Sequence, residues 1–308
     1  FTGARTSFET ATRLAPSFEP AFFNLGLTNR RLNKTDAALS AFRGATRIKA
    51  DYTRAYIEIA RLLTAKGDTD GAILNYTTAL KHEPANVQAL REMAAAYSTR
   101  GDYQSAERYF SEALTLGSDD GRTNYNMATV QLELGNNAQA LDYAKKAVAA
   151  EPRNAVFLYT YGLAGERNKM SDVAVQQYAR AIAADPKYVK PRINLGIMYL
   201  EANRIEDALN QFTAAFTVES DNYEVNNNLG KVYGLRKEYN KAVEHFARAV
   251  SKNPKDPTIV ENLATAYTSA GLLEKAAETS KSGFSPPTTI SASNSLAISE
   301  INIISLQF

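Results

Sequence analysis

The sequence predicts an all-α solenoid of consecutive antiparallel helical hairpins. Three observations predict it: a 34-residue repeat without insertions, a column of that repeat that is alanine in all eight copies, and glycine and proline at fixed points of the unit. Stacked repeats grow without one central core, so 308 residues need not mean two ordinary globular domains.

Place 1 of the frame falls at Glu19, Thr53, Val87, Gly121, Ala155, Val189, Tyr223 and Pro257, giving units 19–52, 53–86, 87–120, 121–154, 155–188, 189–222, 223–256 and 257–284. Residues 1–18 precede them. Ala4, Phe8, Ala11 and Pro16 occupy places 20, 24, 27 and 32 of an earlier unit, so this segment reads as the second helix of a truncated repeat. It is expected to belong to a longer protein, or else to cap the stack.

The first helix of each unit carries a small residue at place 8, as Gly26, Ala60, Ala94, Ala128, Gly162, Gly196, Gly230 and Ala264. Place 7, beside it, is large, from Leu25 to Leu263. Two antiparallel helices approach closely only where the side chains between them are small, and large neighbours fill the remaining gaps. Gly67, Gly101, Gly135 and Gly271 then mark the turn, because glycine adopts the left-handed conformation that ends a helix.

The second helix holds alanine at place 20 in every unit, from Ala38 to Ala276. Place 27 is Ala45, Ala79, Ala113, Ala147, Ala181, Ala215, Ala249 and then Gly283. Place 24 is the large partner, as Phe42, Tyr76, Phe110, Tyr178, Phe212 and Phe246, with Ala144 and Ser280 as departures. Pro84, Pro152, Pro186 and Pro254 close their units before the next helix. Residues 285–308 break the pattern: Ser285-Pro286-Pro287 cannot continue a helix, and the Ser-rich stretch that follows reads as disordered.

These columns resemble the tetratricopeptide repeat (TPR) family. Asn194-Leu195-Gly196-Ile197-Met198-Tyr199 with Ala208, Phe212 and Ala215 is close to its signature, as is Asn228-Leu229-Gly230-Lys231-Val232-Tyr233 with Ala242, Phe246, Ala249 and Pro254. Asn29, Gln131 and Gly165 stand where the family usually has Tyr, and their hairpins are expected to pack more loosely. The resemblance implies a right-handed superhelix whose first helices line a concave groove.

Composition excludes several functions. Basic and acidic residues number 35 and 33, against a general nucleic-acid binder. Cysteine is absent, which removes disulfides, thiolate nucleophiles and thiolate-bound zinc. His82 and His245 occupy unrelated places, so no shared metal site is expected. No phosphate-binding glycine loop, catalytic constellation or cofactor motif is present, and no apolar stretch is long enough to span a membrane. The chain reads as a soluble non-enzyme, in a periplasm or a cytoplasm and of bacterial character.

The candidate site lies on the first helices, whose places 2, 5, 6, 9, 12 and 13 face the groove by the same resemblance. Place 6 reads Asn24, Glu58, Glu92, Asn126, Thr160, Asn194, Asn228 and Asn262. A side-chain amide offers both donors and an acceptor, which suits a peptide backbone in either direction. The O-linked N-acetylglucosamine transferase repeats are similar in this respect, and the resemblance implies that the Asn24, Asn126, Asn194, Asn228 and Asn262 ladder grips an extended chain. Arg54, Arg61, Arg91 and Arg122 add basic groups at groove places, or form a solvated face paired with Glu58 and Glu92. Tyr125, Tyr159, Leu163, Ile193 and Ile197 would form an exposed apolar strip, or else pack between neighbouring helices. The expected function is a protein-interaction scaffold binding an extended polypeptide. The alternatives are the substrate-docking region of a larger, glycosyltransferase-like enzyme, and a structural protein that self-associates through its open ends or its tail.

Overall fold

The computed structural model describes residues 1–117 and 120–283, so the expectation about the 285–308 tail lies outside the described residues. Seventeen helices and no strand occur among the described residues. They are α1 (Thr2–Leu14), α2 (Glu19–Arg31), α3 (Thr35–Ile48), α4 (Thr53–Ala65), α5 (Thr69–His82), α6 (Val87–Thr99), α7 (Tyr103–Thr115), α8 (Gly121–Glu133) and α9 (Asn137–Ala150). There follow α10 (Ala155–Arg167), α11 (Ser171–Ala184), α12 (Val189–Glu201), α13 (Ile205–Val218), α14 (Tyr223–Leu235), α15 (Tyr239–Lys252), α16 (Pro257–Ser269) and α17 (Leu273–Gly283).

The described residues form two compact units, one within residues 1–152 with 167–169, the other within 153–166 with 170–283. In the first, α2 packs on α3, α4 on α5, α6 on α7 and α8 on α9, and each second helix packs on the next first helix. The second unit repeats this arrangement from α11 to α17. α1 packs on α2 but buries none of its residues.

The alternation of large and small side chains holds each hairpin together. Place 20 is fully buried from Ala38 to Ala242, with 0 % exposure at all seven alanines, and Ala276 is 7 % exposed. A Cβ added to Gly196 would stand 2.5 Å from the Phe212 ring, and one on Gly230 would stand 2.7 Å from Phe246. Place 8 is therefore the floor on which the place 24 aromatic lies.

All eight hairpins turn through a left-handed residue at place 15. Four are the expected Gly67, Gly101, Gly135 and Gly271, with φ of 77° to 82°. The other four are Asn33, Lys169, Asn203 and Lys237, with φ of 56° to 60°. In each turn the N–H of the following residue returns to a carbonyl five residues back, as Asp68 to Leu63 at 2.9 Å and Glu238 to Tyr233 at 2.9 Å. This bond closes the first helix and starts the second on an antiparallel course.

The looser packing expected at Gln131 and Gly165 is not found. Gln131 is 1 % exposed, and its Nε2 donates to Glu107 at 2.8 Å while its Oε1 accepts from Asn136 at 2.7 Å. A Cβ on Gly165 would meet the Ala174 backbone nitrogen at 3.2 Å, so the missing ring is answered by closer helix approach. Asn29 is 3 % exposed, and its Oδ1 has no partner.

Candidate functional site

Helical spacing puts places 6, 9 and 12 on one face of each first helix, and α2, α4 and α6 are linked through these places. In the residue 1–152 unit the links are ionic. Glu58 on α4 takes an ion pair from Arg30 on α2, and Arg61 Nη1 donates to Glu58 at 2.7 Å. Arg61 Nε also donates to Glu92 on α6 at 2.7 Å. Glu92 and Glu58 together hold the Arg61 guanidinium above its ordinary pKa, Glu92 contributing most. Tyr76 Oη donates to Glu92 at 3.0 Å, and burial together with that carboxylate raises the phenol.

The arginines expected to be available to a ligand thus divide. Arg61 is saturated by Glu58 and Glu92, the solvated-pair alternative. Arg91 pairs with Asp120 at 2.9 Å. Arg54 is exposed and lies over the Phe23 ring at 5.2 Å, and Arg122 is exposed. Arg30, which the sequence did not single out, is part of the network because place 12 of one first helix meets place 6 of the next.

The amides divide by a different rule. Asn194 Nδ2 donates to Tyr178 Oη at 3.0 Å, and that hydroxyl donates to Glu166 at 2.7 Å. Burial and the Glu166 carboxylate raise the Tyr178 phenol, which is 0 % exposed. Tyr76 treats Glu92 in the same way. In both cases the place 24 tyrosine of one unit engages place 6 of the next. At Asn126 and Asn228 the preceding place 24 residue is Phe110 or Phe212, which has no hydroxyl, and these two amides have no hydrogen-bond partner among the described residues. The same holds for the amide of Asn24, which Phe8 precedes. Asn262 Nδ2 donates to Asn227 Oδ1 at 3.0 Å. Asn228 is 7 % exposed, while Asn24, Asn126, Asn194 and Asn262 are half-buried.

The apolar strip needs a correction. Ile193 is buried in the core, where Val189, Phe212, Val225 and Leu229 pack with its side chain, so it forms part of the hairpin packing and not of an exposed strip. Ile197 packs partly against that cluster. Tyr159 is half-buried, with its ring 5.7 Å from Tyr178 and 5.4 Å from Tyr188, and desolvation raises its phenol. Tyr125 and Leu163 are half-buried. The alternative of packing between neighbouring helices describes Ile193 and Tyr159 better than an open strip does.

The histidines serve packing. His82 stacks on Tyr56 at 6.3 Å; His245 stacks on Tyr233 at 5.4 Å, with Nδ1 3.0 Å from Asn226 Oδ1. No group of three or more metal-ligating side chains occurs among the described residues. None of their helices is long and apolar enough to cross a membrane.

Three solved structures illustrate the likeness. A tetratricopeptide repeat protein of Parabacteroides merdae is 15% identical over 80% of this chain and 98% of its own, with a TM-score of 0.64. MamA of Desulfovibrio magneticus is 25% identical over 55% of this chain and 96% of its own, with a TM-score of 0.53. YrrB, described as a TPR protein with an unusual peptide-binding site, is 24% identical over 61% of this chain and 96% of its own, also at 0.53. No curated protein matches the sequence. The tetratricopeptide repeat model matches residues 1–53, 57–121, 125–189, 193–257 and 233–280, and with the repeated hairpin geometry this establishes that the chain belongs to the tetratricopeptide repeat family.

Proposed function

We propose that the chain is a non-catalytic scaffold that holds an extended polypeptide segment against its first helices, mainly through the place 6 amides. The observation that carries this reading is the set of amides left without a protein partner at Asn24, Asn126 and Asn228, on a face where neighbouring polar groups are paired. Each offers a donor pair and an acceptor to a backbone. YrrB, which shares the fold, is described as having a peptide-binding site of its own.

The amides do not suffice alone. A hydrogen bond is worth roughly 0.5–1.5 kcal/mol net, so three give about 2–4, whereas micromolar affinity requires about 8. The remainder must come from contacts such as Tyr125, Leu163 and Ile197, each half-buried and so partly accessible. The test is an array of unstructured peptides probed with the full chain and with Asn24→Ala, Asn126→Ala, Asn228→Ala combined. Peptides retained by the wild type and lost by a variant of unchanged helicity support the reading. Equal retention by the two proteins would count against it.

A further inference from the structure

One cleft lies off the first-helix face. It runs between α3 and the α4–α5 turn and has a volume of about 600 Å³. Leu39 and Leu63 are its buried lining, and Asp36, Arg43, Arg47, Lys66 and Asp68 surround them with charge. None of these residues stands at places 6, 9 or 12.

Both carboxylates of the cleft are already committed. Asp36 pairs with Lys66 at 2.8 Å, joining place 18 of one unit to place 14 of the next, and that bond holds the Asp36 carboxyl below its ordinary pKa. The same two places pair as Asp70 with Arg100 at 3.0 Å and as Glu206 with Arg236 at 2.7 Å, so this ion pair is a link between neighbouring hairpins. Asp68 caps α5, accepting from Gly71 N at 2.9 Å. The arginines are not committed. Arg43 and Arg47, at places 25 and 29, are exposed and have no ion pair or side-chain hydrogen bond among the described residues. Where the same ion pair recurs, these places hold Thr77 and Lys81, or Thr213 and Thr217, and in no other unit are both basic. Two guanidinium groups one helical turn apart are therefore added to α3 alone, beside a lysine, and no free acid in the cleft answers them.

The shape and charge select the ligand. One guanidinium fork occupies both oxygens of a carboxylate, whereas a phosphomonoester brings three terminal oxygens and close to two negative charges, enough for both forks. The volume falls in the range of about 300–1,000 Å³ typical of sites for organic ligands, so there is room for more than a bare anion. A nucleic acid or an anionic bilayer would need a continued row of cations, and the repeat supplies this arginine pair once.

We infer that the cleft between α3 and the α4–α5 turn binds one phosphomonoester, with Arg43 and Arg47 on its terminal oxygens, Lys66 beside them, and its organic group over Leu39 and Leu63. The site shares no residue with the place 6 ladder and stands independently of the scaffold reading. A phosphorylated side chain and a small free ester carry the same group, and the experiment separates them.

The labelled full chain is titrated with phenyl phosphate, inorganic phosphate, benzoate, and sodium chloride at matched ionic strength. The Nε–H resonances of Arg43 and Arg47 and the methyl resonances of Leu39 and Leu63 are followed. Phenyl phosphate is expected to shift them saturably, inorganic phosphate to bind several-fold more weakly, and benzoate at least tenfold more weakly. Arg43→Gln with Arg47→Gln is expected to abolish the response at unchanged helicity, since both side chains are exposed. Asp36→Asn removes a negative charge from the cleft and is expected to tighten binding about threefold, a gain that a damaged fold would not give. A capped pentapeptide centred on phosphotyrosine then identifies the source: tighter binding than phenyl phosphate assigns the site to a phosphorylated polypeptide, weaker binding to a small ester. No saturable shift with phenyl phosphate, equal binding by inorganic phosphate or benzoate, a response that survives the double arginine variant, or unchanged or weaker binding in Asp36→Asn would each overturn the inference. Any of these leaves the peptide array result standing, and failure of the array leaves this site standing.

Discussion

Replacing Tyr178 by Phe should make the protein less stable and yet a better peptide binder. The hydroxyl accepts from Asn194 Nδ2 at 3.0 Å and donates to Glu166 at 2.7 Å, and its loss removes both bonds. One of the two involves a charged partner, and together their gross value is about 2–4 kcal/mol. Glu166 is exposed and Asn194 half-buried, so water recovers part of this and the net loss is about 1–2 kcal/mol. No packing penalty is expected, since Phe42, Phe110, Phe212 and Phe246 fill the same place within other hairpins at 0–3 % exposure. The Asn194 amide, released, joins those facing a ligand and adds one hydrogen bond, a gain of roughly two- to tenfold in affinity. Helicity at 222 nm measured through a thermal ramp gives the stability. Calorimetry with a peptide retained in the array gives the affinity, since the chain has no tryptophan to report fluorescence. Unchanged stability would mean that the hydroxyl network contributes nothing. Weaker peptide binding would mean that Asn194 is not a ligand group once freed.

Four further outcomes are expected. Phe212→Tyr should act in the opposite sense, adding a hydroxyl that reaches Asn228 and reducing peptide affinity; an unaltered Asn228 amide resonance would contradict it. Lys169→Gly and Lys237→Gly should each stabilise by about 0.5–1 kcal/mol, because φ of 59° and 60° is strained for a residue with a Cβ, and a lower urea midpoint would refute this. Ala208→Leu should cost about 1–3 kcal/mol by overpacking a fully buried place, and an unchanged melting temperature would refute the hairpin packing. Tyr76 and Tyr178 both have phenols raised above the ordinary value of 10.0 in the folded state. Their contribution is complete below that value and is lost as pH rises beyond it, so stability should fall above about pH 10 and fall less steeply in Tyr178→Phe. A parallel decline in the variant would contradict the assignment.

The hairpins were legible in the sequence because their packing rule is local to one unit. Gly196 against Phe212 needs only places 8 and 24, which recur in register. The turns were half legible: glycine announces a left-handed residue, but Lys169 and Lys237 carry no such signal and are forced into that conformation by the bond closing the first helix. The site was less legible because it is made between units. Asn194 is occupied because place 24 of the preceding unit is Tyr178, and Asn262 because Asn227 lies beside it on the preceding first helix, relations that no single column contains. Arg61 likewise cannot be known as saturated until Glu92, 31 residues away, is seen beside it. Ile193 was misplaced because its place faces outward on an isolated helix, while in the assembled stack it packs with Val189, Val225 and Leu229.

The most direct test of the scaffold account is to follow every asparagine side-chain amide by nuclear magnetic resonance as an array-selected peptide is added to the full chain. The account predicts that the largest shifts fall at the unpartnered place 6 amides, Asn24, Asn126 or Asn228, with a smaller response at Asn194, which Tyr178 holds. Shifts confined to asparagines outside the first helices, such as Asn75 on α5 and Asn210 on α13, would place the peptide elsewhere and contradict it.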